Sequence, residues 1–185
     1  MQAAVEILLS ELGYDLSDAH FRRTPERVAE ALNGFSKSRH DRAHDILDVS
    51  FEDGFSSLVL VGPIEYTSMC AHHLLPVQGK AYVGYLADGR ICGLSKLARL
   101  VDHYARQLTV QERVTDQVAD ALEEQLKPKG CMVVIRAVHG CMSIRGVQDH
   151  DAQTTTSAVR GLHKDSDSAR SEFLSLVGMR ERMLG

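Results

Sequence analysis

The stretch Ser68-Met69-Cys70-Ala71-His72-His73 constrains this chain more than any other. A thiol and an imidazole three residues apart, Cys70 and His73, can both reach one borderline cation, and His72 is placed to touch whatever sits beside it. Closing such a site takes one more ligand. The best donor is Cys141 in Val138-His139-Gly140-Cys141-Met142, where a second thiol again lies two residues from a histidine. Two sulfurs and one nitrogen would hold zinc and leave the fourth tetrahedral position to water, as catalytic zinc is built. The chain must then fold so that two remote segments converge. Plainer readings compete: Cys70 and Cys141 could form a disulfide, and His72 and His73 could be ordinary surface residues. Against the disulfide, the sequence opens Met1-Gln2-Ala3-Ala4-Val5-Glu6-Ile7, with neither a basic region nor a long apolar one, so reduced thiols and a cytoplasmic setting are expected.

The balance of the chain excludes several function classes. With 185 residues, 44% of them hydrophobic and 25% charged, it suits one soluble domain with a substantial core. No apolar run approaches the roughly 20 residues that span a bilayer, so no membrane segment is expected. A net charge of −4 argues against a general nucleic-acid surface, which depends on Lys and Arg neutralising phosphates. The lack of tryptophan and 5% aromatic content remove stacking platforms for single strands. Four cysteines at 70, 92, 131 and 141 are too few and irregular for a disulfide scaffold. The His-x-Glu and Pro-Cys-x-x-Cys signature of zinc base deaminases is absent.

Hydrophobic periodicity orders the rest. Val5, Leu8, Leu9 and Leu12 predict a first helix stopped by Gly13. Thr24-Pro25-Glu26-Arg27-Val28 reads as a helix start with Thr24 as N-cap, and Val28, Leu32 and Phe35 as its buried stripe, leaving Arg27 solvated or aimed at an anion. Residues 37–55 read as a surface connection with one helical turn near Ile46-Leu47. Leu58-Val61, Ile64-Met69 and Lys80-Leu86 are β-favouring. Ser95 is a plausible N-cap for a helix burying Leu97, Leu100, Val101 and Tyr104. After Gln111-Glu112 comes a second helix burying Val114, Val118, Ala121 and Leu122. Strands are expected at Cys131–Val138 and Met142–Gln148, then β-prone Thr154-Ser157 and a closing helix around Phe173, Leu174 and Val177. The expected class is α+β, with a β-β-α-α-β-β core behind N-terminal helices, divided as 1–55 helical and 56–185 catalytic.

The motifs Thr24-Pro25-Glu26-Arg27-Val28, Ser68-Met69-Cys70-Ala71-His72-His73, Gly93-Leu94-Ser95-Lys96-Leu97-Ala98-Arg99, Val110-Gln111-Glu112-Arg113, His139-Gly140-Cys141 and Arg145-Gly146-Val147, in this order, make the sequence resemble the GTP cyclohydrolase I family from Thr24 to Val177. The resemblance implies a tunnelling fold (T-fold) assembling into a ring-like homodecamer with active sites at subunit interfaces. It implies Zn2+ held by Cys70, His73 and Cys141, and conversion of GTP and water to 7,8-dihydroneopterin triphosphate and formate. His139 and His72 are similar to the family's proton carriers, whose intrinsic pKa of roughly 6.5 lets each give and take protons near neutrality. Glu112 with Gln111 matches the guanine-recognising position, because a carboxylate can accept from N1–H and the exocyclic amine. Ser95 resembles the family's catalytic ribose-side residue that assists proton transfer, and Lys96, Arg99 and Arg145 match phosphate contacts, with Arg27 arriving from a neighbouring subunit. The sequence departs from the family at Ala71, where Glu is common, and at Glu30, where some members carry a phosphate-binding Lys. Its amino-terminal region also looks short. Paralogous activity in a modified-nucleoside or specialised pterin pathway and a non-catalytic zinc assembly are the alternatives.

Overall fold

The computed structural model describes residues 1–35, 43–47, 50–52 and 54–184. In chain order the elements are α1 (Gln2–Glu11), α2 (Thr24–Gly34), α3 (His44–Leu47), β1 (Ser50–Glu52), β2 (Leu58–Cys70), β3 (Pro76–Leu86), β4 (Arg90–Cys92), α4 (Leu94–Ala105), β5 (Leu108–Thr109), α5 (Gln111–Leu126), β6 (Gly130–His139), α6 (Gly140–Ser143), β7 (Thr154–Gly161), α7 (Leu162–Asp165) and α8 (Asp167–Leu184). Much of the 37–55 connection lies outside the described residues; its expected helical turn is α3.

Five strands form one sheet in the order β5-β2-β3-β6-β7, antiparallel except where β5 runs parallel to β2. Helices α4 and α5 cover one face. Their apolar stripes explain why: Leu97, Leu100 and Val101 of α4 and Val118 and Leu122 of α5 are fully buried against Val83, Tyr85, Val133 and Ile135. Each such aliphatic side chain contributes about 1.5–3 kcal/mol by leaving water. Helix α8 seats Phe173 and Val177 on the opposite face, against Tyr82, Met132 and Val134. This is an α+β tunnelling fold, with two strands, two helices and two strands in sequence order at its centre.

The runs at 58–61 and 64–69 form the one expected strand, β2, whose pairing with β3 shifts register between Val61 and Ile64 around Gly62-Pro63. Other local expectations change. Residues Met142–Gln148 are not a strand. The chain turns helically after His139, Ile144 N–H donates to Gly140 O, and Gly146 and Gln148 adopt positive φ. Ile144 and Val147 stay exposed, so no sheet face pulls them in. The fourth core strand is β7 instead, extending the β-prone threonine run through Gly161 along the edge of β6. Neither proposed N-cap stands: Arg23 and Gly93 occupy those positions, Thr24 begins α2 with its hydroxyl 3.4 Å from His20 O, and Ser95 lies one residue inside α4. In α1 only Val5 and Leu9 are buried, while Leu8 and Leu12 face outward.

Candidate metal centre and cavity

Three strand ends build the site. Tyr66, Ser68 and Cys70 share the inward face of β2, because alternate residues of a strand point the same way. The strand stops at Cys70; Leu74 takes a positive φ and donates to Cys70 O, while Cys70 N–H donates to Leu75 O. This tight turn carries His72 and His73 back beside Cys70. Val77 of β3 pairs with His139 of β6, which brings the end of β6 to the same corner. Gly140 follows, packed so closely that a Cβ there would lie 2.9 Å from Pro76 O. The helical turn it permits presents Cys141.

The ligand atoms of Cys70, His73 and Cys141 lie within 4.8 Å of one another. Cys70 is buried, Cys141 half-buried and His73 exposed. His73 Nδ1 is 4.0 Å from Cys70 Sγ, and its Nε2 is 2.9 Å from an Arg145 guanidinium nitrogen. Nδ1 is therefore the nitrogen on the thiol side; with a metal on it, Nε2 carries the ring hydrogen and no longer accepts from the guanidinium. Tetrahedral zinc, with sulfur at about 2.3 Å and nitrogen at about 2.0 Å, needs ligand atoms only slightly closer than these. Burial, and after it the neighbouring Cys70 thiol, push the Cys141 thiol up from its usual value. Two thiols so placed ionise together readily only when a cation shares their charge. The donor set therefore fits a thiophilic metal. All four cysteines are free, and no disulfide joins Cys70 to Cys141.

Beside the cluster is a cavity of about 220 Å³. Among the expected residues it is lined by Cys70, His72, Gln111, Glu112, His139 and Cys141. Val77, Val110, Val114 and Met142 give it apolar walls. Glu112 is exposed in the first turn of α5, while Gln111, the first residue of that helix, is buried. Gln111 spends its side chain on the protein: the two hydrogens of Nε2 are shared among Ile135 O, Thr154 O and Thr156 Oγ1, all within reach, and Oε1 lies 2.7 Å from His139 Nε2. The expectation that Gln111 reads the base directly meets an amide already committed elsewhere. Burial lowers the His139 pKa, and the Glu112 carboxylate works weakly against that.

The remaining expected residues lie elsewhere. Ser95 and Arg99 are exposed and Lys96 half-exposed near the start of α4, Arg27 is exposed on α2, and none of them lines this cavity. Arg145 stands next to His73. Ala71 is exposed and anchored by its N–H to Thr109 O, and the charge of exposed Glu30 is felt by Arg23. Sequence reasoning missed Tyr66, Ser68, Thr109 and Thr154 in the cavity wall. The alternation of β2 was the available signal for the first two. Tyr66 is buried with its hydroxyl unpartnered among the described residues, and burial pushes its pKa up.

Known proteins resemble this chain along most of its length. The family model described as GTP cyclohydrolase I matches residues 1–178. A GTP cyclohydrolase 1 of Gloeobacter violaceus is 48% identical over 178 residues, covering 96% of this chain and 83% of that protein. One from Thermobifida fusca is 48% identical over 179 residues, covering 96% and 86%, and one from Chlorobium chlorochromatii is 44% identical over 178 residues, covering 96% and 80%. A solved chain of the archaeosine synthase QueF-Like in the apo form aligns with 57% of this chain and 94% of its own length, at 15% identity and a TM-score of 0.46.

Proposed function

Because the chain belongs to the GTP cyclohydrolase I family and is an enzyme of that activity, we propose that Cys70, His73 and Cys141 hold zinc and that the adjoining cavity takes the guanine end of GTP. The observation that carries this reading is the convergence of two thiols and an imidazole beside a cavity bearing His139 and Glu112. Zinc, when bound there, supplies a Lewis acid and a water acidified toward neutral pH.

The protein's own groups do the rest. The exposed Glu112 carboxylate accepts from the guanine N1–H and the exocyclic amine, a donor pair that adenine lacks. The apolar walls around it keep water from competing for those bonds. His139 gives a proton to the purine N7 as the imidazole ring opens, and His72 carries the protons needed for formate release and the later ribose rearrangement. Burial keeps His139 from being protonated too tightly to pass its proton on. Ser95 serves the ribose, and Lys96, Arg99, Arg145 and Arg27 hold the triphosphate. The exposure of Ser95, Arg99 and Arg27 away from the cavity supports a homo-oligomer, of which a decamer is the family's form, with each site completed across a subunit interface. In this reading residues 56–185 are the catalytic unit and 1–55 a helical adjunct. No helix among the described residues is long and apolar enough to cross a membrane, and the free thiols at the metal centre suit a cytoplasmic enzyme.

The test is to incubate zinc-loaded protein with GTP and follow formate and pterin absorbance. Both should appear together, and chelation should abolish both. A metal-independent turnover would overturn the zinc assignment. Turnover that is faster with another purine nucleotide than with GTP would favour the specialised pathway that Ala71 and Glu30 leave open.

A further inference from the structure

The hydrogen bonds around Gln111 fix the orientation of its amide and the direction of the two threonine hydroxyls. Its Nε2 is 3.1 Å from Ile135 O, 3.1 Å from Thr154 O and 3.0 Å from Thr156 Oγ1. Reversing the amide would set its oxygen against two carbonyl oxygens, so the nitrogen must face them. Thr115 Oγ1 gives its single proton to the Gln111 main-chain oxygen at 2.8 Å. The 2.6 Å contact between the Thr115 and Thr156 hydroxyls therefore takes its proton from Thr156, whose oxygen remains an acceptor for the amide. Thr156 thus donates to Thr115 and Thr115 to the Gln111 main chain, while the two amide hydrogens are shared among Ile135 O, Thr154 O and Thr156 Oγ1. Oε1 alone is left over, and it meets His139 Nε2 at 2.7 Å. An amide oxygen only accepts, so Nε2 carries the hydrogen and Nδ1 is the nitrogen left to exchange a proton.

We infer that Gln111, locked by Thr115 and Thr156, is a positioning residue that fixes the ring orientation and tautomer of His139 and makes no contact of its own with the purine. The inference rests on the reading of His139 as a proton carrier. It assigns a role to two threonines, one on α5 and one on β7, that touch neither metal nor cavity. Their bond ties the helix carrying Glu112 to the strand beside β6, which ends in His139. A network of this kind holds its members more tightly than isolated bonds would, because each threonine hydroxyl is donor and acceptor at once.

The test is steady-state kinetics on the zinc-loaded protein. Gln111→Met keeps the length of the side chain and removes both the acceptor and the donors. It should lower kcat by about 100-fold, with KM for GTP changed by no more than about threefold. A tenfold or greater rise in KM at nearly unchanged kcat would show a base contact and overturn the inference, as would wild-type values for both constants. Thr156→Val and Thr156→Ser supply a second readout should the first variant fail to fold. Valine should cost about tenfold in kcat at unchanged zinc content, and serine should restore it to within about twofold. Equal losses in both would mean a packing role and overturn the inference. His139→Gln, measured alongside, separates the two levels. If it keeps wild-type kcat, the proton-carrier reading itself falls; if it is inactive while Gln111→Met turns over normally, only the positioning role falls.

Discussion

The chain leaves the sheet twice at the same corner, and it uses a cysteine and a histidine differently each time. After β2 the thiol comes first, at the last residue of the strand, and His73 returns to it through a tight turn, exposed and in contact with Arg145. After β6 the histidine comes first, half-buried as the last strand residue and bonded to Gln111, and the thiol follows on a helical turn. Whichever residue ends the strand inherits the rigidity of the sheet; whichever follows is placed by the turn. In the proposed reading, one turn therefore supplies a ligand pair and the other a ligand plus an oriented proton carrier, from the same two residue types.

The division of labour between the two turns fails most completely if the shared cluster is not a metal site. Cys70→Ser and Cys141→Ser should each reduce bound zinc, measured by elemental analysis, well below one per chain and lower kcat/KM by more than about 1,000-fold. Full metal content in either variant would remove that thiol from the ligand set. The two histidines should respond differently. His73→Asn should lose metal and activity together, whereas His139→Gln should keep its zinc and lose about 100- to 10,000-fold in kcat, the usual span for a general acid or base. Parallel metal loss in both would mean the two turns are not specialised as described. A smaller effect is expected at Glu112, which faces the cavity without touching the cluster. Glu112→Gln should raise KM for GTP by about 10- to 100-fold through lost charge-assisted hydrogen bonds, and unchanged KM would place the guanine elsewhere.

The cluster was legible in the sequence because few residue types bind a borderline metal, so Cys70, His73 and Cys141 stood out at any separation. The helices were legible from spacing: the α4 and α5 stripes are the residues that the sheet buries. Strands were harder where burial is one-sided. The edge strand β7 buries only Ala158, so its threonines read as β-prone without the apolar pattern of a core strand, while Met142, Ile144 and Val147 looked strand-like with no sheet to receive them. The roles of Gln111, Thr115 and Thr156 were not legible at all. A hydroxyl or amide finds its partner through tertiary register, here the pairing of Ile135 with Thr156, and local spacing carries no record of that.

A third histidine tests whether lowered basicity by itself marks function. His163 on α7 is buried against the edge of the Phe173 ring, and its Nδ1 has no partner among the described residues. Burial lowers its pKa from 6.5, with Glu172 opposing the shift. It lies outside the cavity and the metal cluster. A folded-state pKa below the unfolded one means the unfolded chain binds more protons in that window, so stability is full above about pH 6.5 and declines as pH falls toward the folded-state value. The wild-type melting temperature should therefore drop on going from pH 7.5 to 5.5, and His163→Leu should shrink that drop by about 2–4 °C. Turnover of GTP at pH 7.5 should not change. An identical pH response in the variant would show that the ring is solvated well enough to protonate freely in the folded protein. A loss of turnover would instead tie α7 to the active corner and weaken the contrast drawn between an oriented histidine and a merely buried one.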